Sequence, residues 1–335
     1  MVTWLGRGAL YLCFAGALGG IIEQSFALRQ HRASRARWWA LVALFGIAAA
    51  IGVMEYALVT HDFALAYVAE NNATFTPLLY SITGLWSALE GSLMLWVLIQ
   101  TGVTVAVLWY YRRDQDESVV GWAALVLFVI GGFFTLLMMG PADPFLHNAA
   151  HVLQGAGPNA LLQDNPLVAV HPPLLYFGFV GFSVPFAFAI AMLITGRVHE
   201  RWPLEQRRWT VLAWGALSLG IVLGAWWSYQ VLGWGGFWGW DPVENAALLP
   251  WLTATAYIHS VIVQDRRGLF RVWNLSLAIA TFALTVLGTF FTRSGVLVSV
   301  HAFSSSTLGP LLIGLFFFVV VLGAGLLAWR GDRLR

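Results

Sequence analysis

Residues 234–267 read WGGFWGWDPVENAALLPWLTATAYIHSVIVQDRR, and their order decides the fold. The stretch opens with three tryptophans, a phenylalanine and three glycines. It then turns at Asp241-Pro242 and runs apolar until Asp265, Arg266 and Arg267. Asp before Pro ahead of an apolar run reads as a helix N-cap with proline at N1. Glu244 three residues on completes a capping-box start. The apolar run is long enough to cross a bilayer. Aromatic rings at the head of such a span belong at the boundary of hydrocarbon and water. The glycines leave room for a flat body to approach the backbone.

The rest of the chain agrees. Of 335 residues, 59% are hydrophobic and only 10% charged, which excludes a soluble domain of this size. A net charge of +2 gives no basis for nucleic-acid binding. Apolar runs predict an all-α polytopic membrane protein of about nine transmembrane helices, near 8–28, 39–60, 92–111, 119–139, 173–195, 210–228, 247–264, 273–292 and 310–329. The first run is too long for a secretory signal and is followed by an arginine cluster, so it reads as an uncleaved helix. Cys13 is the only cysteine. An intrachain disulfide and a C-x-x-C-H haem-attachment motif are both excluded, so the chain is not itself a c-type cytochrome. No repeat or linker appears, and 140–171, rich in proline and glycine, reads as the one long flexible stretch.

All 18 basic residues are arginine. Sixteen follow the odd-numbered spans, and only Arg7 and Arg293 fall on the other side. The positive-inside rule then places the N-terminus outside and the C-terminus in the cytoplasm. The loops 61–91, 140–172, 228–246 and 293–309 lie outside, so the tryptophan-rich segment sits at the outer membrane surface.

A planar, apolar, metal-containing body points to haem, whose iron most often takes imidazole. His31 and His199 lie in arginine-rich loops, and His61 begins an outer loop. His147 and His151 would share one face of a helix, but there is no third ligand at a metal-binding spacing. His171, held by Pro172 and Pro173, and His301 lie outside at nearly the depth of the tryptophans. Two imidazoles flanking an aromatic shelf, or two interfacial histidines in loop hydrogen bonds, both fit that spacing. His259 lies inside a span, where an ionisable group is a functional candidate, though an imidazole bonded to a neighbouring serine is the competing reading. Glu90, Gly91 and Ser92 begin the third span near the same surface. Arg293 reads as a propionate partner or an interfacial anchor.

WGGFWGWDPVEN resembles the tryptophan-rich WWD signature of haem-handling proteins of cytochrome c biogenesis. Five motifs, ITGLWSALEGSLMLW, HPPLLYFGFVGFS, LGAWWSYQVLGWGGFWGWDPVENAALLPWL, YIHS and LGTFFTRSGVLVSVHAF, fall in the order and spacing of the CcmF family of haem lyases. The resemblance implies 1–88 as N-terminal helices and outer loop, 89–300 as the cytochrome c assembly domain, and 301–335 as a last helix before a C-terminal region that this chain lacks. It implies His171 and His301 as axial ligands of a delivered haem b, and His259 as a ligand of a resident b-type haem. The shelf it implies comprises Trp226, Trp227, Trp234, Gly235, Gly236, Trp238, Trp240, Asp241, Glu244 and Asn245, although Gly239 stands where relatives carry an aromatic. The implied activity is a haem lyase in a multi-subunit complex of the bacterial inner membrane. Haem arrives from the chaperone CcmE and is joined to apocytochrome c, with a thiol-reducing CcmH-type partner. The half of such proteins absent here is expected in cis or as a separate chain. A haem exporter or relay of the CcmC or CcsA kind, and a b-type electron-transfer subunit, are the other classes.

Overall fold

The structure is a computed structural model that describes residues 1–114, 118–150, 152–163, 165–197, 202–297, 299 and 308–330. Those residues are all-helical, with no strand and one isolated bridge between Leu65 and His147. The helices are α1 (Val2–Gln30), α2 (Ala36–Val59), α3 (Ala66–Asn71), α4 (Leu78–Thr83), α5 (Leu89–Tyr110) and α6 (Ser118–Met138). They continue as α7 (His171–Gly181), α8 (Ser183–Thr195), α9 (Trp202–Val231), α10 (Pro242–Arg267), α11 (Arg271–Arg293) and α12 (Gly309–Arg330). Among the described residues nine helical stretches are long and apolar enough to cross a membrane, with α7 and α8 together making one. Each apolar run of the sequence therefore yields one span, with ends moved by several residues.

The α1–α2 pair packs backbone against backbone. A Cβ on Gly16 would lie 2.4 Å from the Ala43 nitrogen, and one on Gly46 would lie 2.4 Å from that of Cys13. Small residues at such crossings allow the close van der Waals packing that holds helices together in lipid. The hairpin between them is closed by Glu23, which accepts from Arg32 Nη1 at 2.8 Å and from the Arg35 amide at 2.9 Å.

The run 173–195, expected as one helix, is divided at Phe182. Pro185 has no N–H for the Gly181 carbonyl, and its ring would strike that carbonyl in a continuous helix. Beyond the break every residue from Ser183 to Leu193 is buried in the bundle. Phe186 stacks there on Phe282 of α11 at 4.6 Å. In α11, Thr281, Thr285 and Thr289 each donate their hydroxyl to the carbonyl four residues earlier. No hydroxyl of that row is left unsatisfied in the apolar interior.

At one end of the bundle the connections 60–88 and 139–170 form a packed layer. Ala66 N donates to Leu146 O, Asn148 N to Ala64 O, and Ala156 N to Ala69 O. Asn72 is fully buried, with Nδ2 bonded to Leu58 O at 2.8 Å. A Cβ on Gly155 would come within 2.0 Å of the Asn72 carbonyl. Arg7 of α1 forms a 2.6 Å salt bridge to Asp143. The stretch expected to be flexible is thus bonded at several points to the 64–72 connection, and Gly155 allows the closest of these backbone approaches. His147 pairs with Leu65 in an extended bridge rather than lying on a helix, and His151 lies outside the described residues.

Candidate functional site

Beneath this layer lies a mostly apolar cavity of about 220 Å³, walled by α5, α7, α9, α10, α11 and the connections at 84–88 and 162–168. Its wall contains His171, Trp227, Trp238, Glu244 and Arg293, residues drawn from distant parts of the sequence.

His171 is the first residue of α7, and Pro172 and Pro173 fix the turn that carries it. Its ring centroid lies 5.7 Å from that of Trp227, tilted by 33°. Trp227 is 2% exposed. Gly224, one turn earlier on α9, leaves the space the imidazole uses, since a Cβ there would sit 3.3 Å from His171 Nδ1.

Arg293 ends α11 and is 5% exposed. Its Nη2 donates to Ser92 Oγ at 3.0 Å and to the Tyr176 hydroxyl at 2.7 Å. The guanidinium carbon stands 5.6 Å from the centre of the Tyr176 ring. Trp96 meets that ring edge-on at 6.2 Å. With Thr292 Oγ1 accepting from Nη1 at 3.4 Å, the buried cation is fixed in direction by neutral hydroxyls and an aromatic wall.

The tryptophan-rich loop is organised by the start of α10. Asp241 caps the helix through Val243 N at 2.9 Å, while Glu244 Oε2 accepts from the amides of Asp241 at 3.2 Å and Gly239 at 2.9 Å. This is the expected capping box, with the proline at N1. Asp241 also accepts from Ser299 at 2.5 Å, and Asn245 Nδ2 holds the Trp240 carbonyl at 3.1 Å.

The rings do not form one plane. Trp227 and Trp238 face the cavity. Trp226 and Trp240 face outward, 50% and 70% exposed. Trp226 and Trp227 are neighbours on α9 and so point in different directions. Trp238 and Trp240 are perpendicular at 6.2 Å, with Trp240 in the left-handed region at φ 55°. Gly235 bends the loop at φ +67°, Gly236 offers its carbonyl to Trp234 Nε1 at 3.0 Å, and Gly239 lies flat against the Trp234 ring. A Cβ at Gly239 would sit 2.9 Å from that ring. Tyr229 and Phe237 stack at 4.5 Å outside the cavity.

His259 stands apart from the cavity, exposed on α10 three turns beyond Ala247. Its Nδ1 lies 2.8 Å from the Thr255 carbonyl. His301 lies outside the described residues, as does His199. Among the described residues no group of three or more metal-ligating side chains converges.

Trp86, Trp96, Tyr176, Thr285 and Thr289 line the cavity without having been singled out in the sequence. Trp86 and Trp96 lie in ITGLWSALEGSLMLW and Tyr176 in HPPLLYFGFVGFS, so motif membership was the one signal available. Trp86 Nε1 ties its segment to the Val168 carbonyl at 2.9 Å, which closes the wall beside His171.

The profile of the family described as cytochrome C assembly protein matches residues 86–298. The cytochrome c-type biogenesis protein CcmF of Pseudomonas aeruginosa is 44% identical over 331 residues, which is 97% of this chain and 50% of that protein. The CcmF of Escherichia coli K12 is 43% identical over 341 residues, 100% of this chain and 52% of that protein. A solved structure, that of the cytochrome c haem lyase CcmF, aligns at TM-score 0.81 and 39% identity over 98% of this chain and 51% of its own. The chain spans about half the length of the curated relatives it matches. With more than half of its residues in the family profile and its helical fold shared with a solved relative, the chain belongs to the cytochrome C assembly protein family and is of the CcmF type.

Proposed function

We propose that this chain is the haem-positioning half of a haem lyase in cytochrome c maturation. It would accept haem b as substrate from the chaperone CcmE and hold it for thioether formation with a C-x-x-C-H segment of apocytochrome c, beside a thiol-reducing CcmH-type partner. The observation that carries this reading is one cavity on which His171, Trp227, Trp238 and Arg293 converge from four separate segments.

The donor set fits a metalloporphyrin. An imidazole at the wall suits iron, flat indoles suit the ring, and Gly224 clears the space the imidazole needs. Arg293 suits a propionate, which it can meet with a charge-assisted hydrogen bond. Bound haem supplies an iron for axial ligation and vinyl groups for the thioether bonds. His171 would hold the iron, and His301, outside the described residues, is proposed as its second ligand. Arg293 would meet a propionate and so set how the ring is turned, and the Asp241–Glu244 box holds the indole loop in shape. Holding vinyl and thiol close and correctly turned is the contribution to rate.

We assign the cavity to the outer face of the bacterial inner membrane, because 16 of the 18 arginines follow odd-numbered spans and so collect at the opposite end. His259 is assigned to a resident b-type haem, with its second ligand in the part of the relatives that lies beyond this chain. A bond to a carbonyl requires the proton on Nδ1 and leaves Nε2 free to ligate.

The test is haem titration of the purified chain. The reading predicts an imidazole-ligated spectrum, loss of occupancy in His171→Ala, and co-purification with CcmE. Full haem content and full cytochrome maturation in His171→Ala, or co-purification with a quinol oxidoreductase instead, would overturn it.

A further inference from the structure

His259 sits one turn beyond a cross-helix network that neither its sequence context nor its proposed role explains. Trp214 of α9 donates its indole N–H to Thr255 Oγ1 of α10 at 2.8 Å, and that hydroxyl donates to the Trp251 carbonyl at 2.7 Å. Trp251 of α10 donates its indole N–H to Ser218 Oγ of α9 at 2.8 Å, and that hydroxyl donates to the Trp214 carbonyl at 2.7 Å. The two indoles stack between them, 6.1 Å apart at 21°. Each helix thus gives the other one tryptophan and one hydroxyl, in a closed reciprocal set.

Its position matters. Pro250 lies inside α10 immediately before it. Lacking an N–H, Pro250 leaves the Ala246 carbonyl without its helical donor, and prolines are where helices bend. The backbone of Gly288 on α11 lies against that carbonyl, since a Cβ there would be 3.0 Å away. The first turn after Pro250, 251–255, is the one bound to α9. The Thr255 carbonyl then receives His259 Nδ1 at 2.8 Å. A carbonyl only accepts, so the ring proton of the neutral imidazole sits on Nδ1 and the lone pair on Nε2.

We propose that the Trp214–Thr255 and Trp251–Ser218 bonds are a positioning device for His259. By fixing the turn after Pro250 they set which nitrogen of His259 carries the proton and where Nε2 points. The proposal deepens the assignment of His259 as an iron ligand and rests on it. Outer partners that orient a ligating histidine are worth about 10- to 100-fold in metal affinity.

The experiment uses the full chain in lipid with ¹⁵N-labelled histidine, read by solid-state NMR, with His259→Ala identifying the resonance. Haem titration follows on the same samples. Thr255→Val removes the hydroxyl at nearly constant volume, and Trp214→Phe with Trp251→Phe removes both indole donors. Thr255→Ser keeps the hydroxyl and is the folded control. Wild type and Thr255→Ser should show a single Nδ1–H tautomer. Thr255→Val and the double variant should show both tautomers and bind haem at the intramembrane site about 10-fold more weakly. Wild-type tautomer and titration in Thr255→Val alone would overturn the proposal, even if the double variant fails to fold. If the tautomer changes as expected but His259→Ala leaves haem binding intact, the clamp stands as the setter of the imidazole. In that case the ligand assignment is what falls.

Discussion

Arg293→Gln separates charge recognition from packing in the cavity. The guanidinium is 5% exposed and held by Ser92 at 3.0 Å and Tyr176 at 2.7 Å. Glutamine keeps a donor of shorter reach and removes the charge. Two unit charges 4 Å apart at an effective dielectric of about 20 attract by about 4 kcal/mol, before the cost of removing water from both. A hydrogen bond to a charged group nets about 1.5–3 kcal/mol. At 1.36 kcal/mol per decade this is about 10- to 150-fold in affinity. The assay compares haem with haem dimethyl ester, which has the same ring and no carboxylate. Wild type should prefer the free acid by about 10- to 150-fold, and Arg293→Gln should reduce the preference to about 3-fold or less. Tyr176→Phe, which removes the shortest of the anchoring hydrogen bonds, should fall between. An unchanged preference in Arg293→Gln would refute the propionate role, because no other step predicts that Arg293 distinguishes acid from ester.

Asp241→Ala removes the helix cap and the bond from Ser299. Caps are worth about 1–2 kcal/mol, so amide exchange across 232–245 should rise about 5- to 30-fold, and exchange at the wild-type rate would contradict the capping account. Gly46→Leu drives a side chain into the Cys13 backbone and should abolish a stable α1–α2 pair. Gly102→Ala, with open space around it, should leave stability equal or raise it by up to about 1 kcal/mol. Thermal melts in detergent check both, and equal effects would refute the packing account. Gly224→Ala pushes the His171 ring by a few tenths of an ångström. It should leave the melt unchanged while lowering haem occupancy several-fold, on the order of what small misplacements cost at reacting centres. Unchanged occupancy would show that the imidazole does not rely on that clearance.

The start of α10 was legible in full. Asp-Pro-x-Glu states a capping box in local chemistry, and the structure carries it with the expected partners. The spans were legible because each must be apolar along about 20 residues. The break at Phe182 was not, since hydropathy registers Pro185 as one more apolar residue while its missing N–H ends the helix. Segment 140–171 looked loose because proline and glycine weaken local propensity. The bonds that hold its 146–157 part come from 63–72, far away in sequence. The indoles looked like one shelf because they are adjacent in sequence. Helix geometry at Trp226 and Trp227, and the positive φ of Gly235 and Trp240, divide them between cavity and surface. Tyr176 and Ser92 gain meaning only from Arg293, which lies 117 and 201 residues away along the chain.

The most direct test of the central claim is an experimental structure of the haem-loaded chain in lipid. The account predicts planar density within the cavity beside Trp227 and Trp238, iron bonded to His171, and a propionate against Arg293. A cavity filled by lipid or side chains, with the planar density elsewhere and His171 unligated, would contradict it.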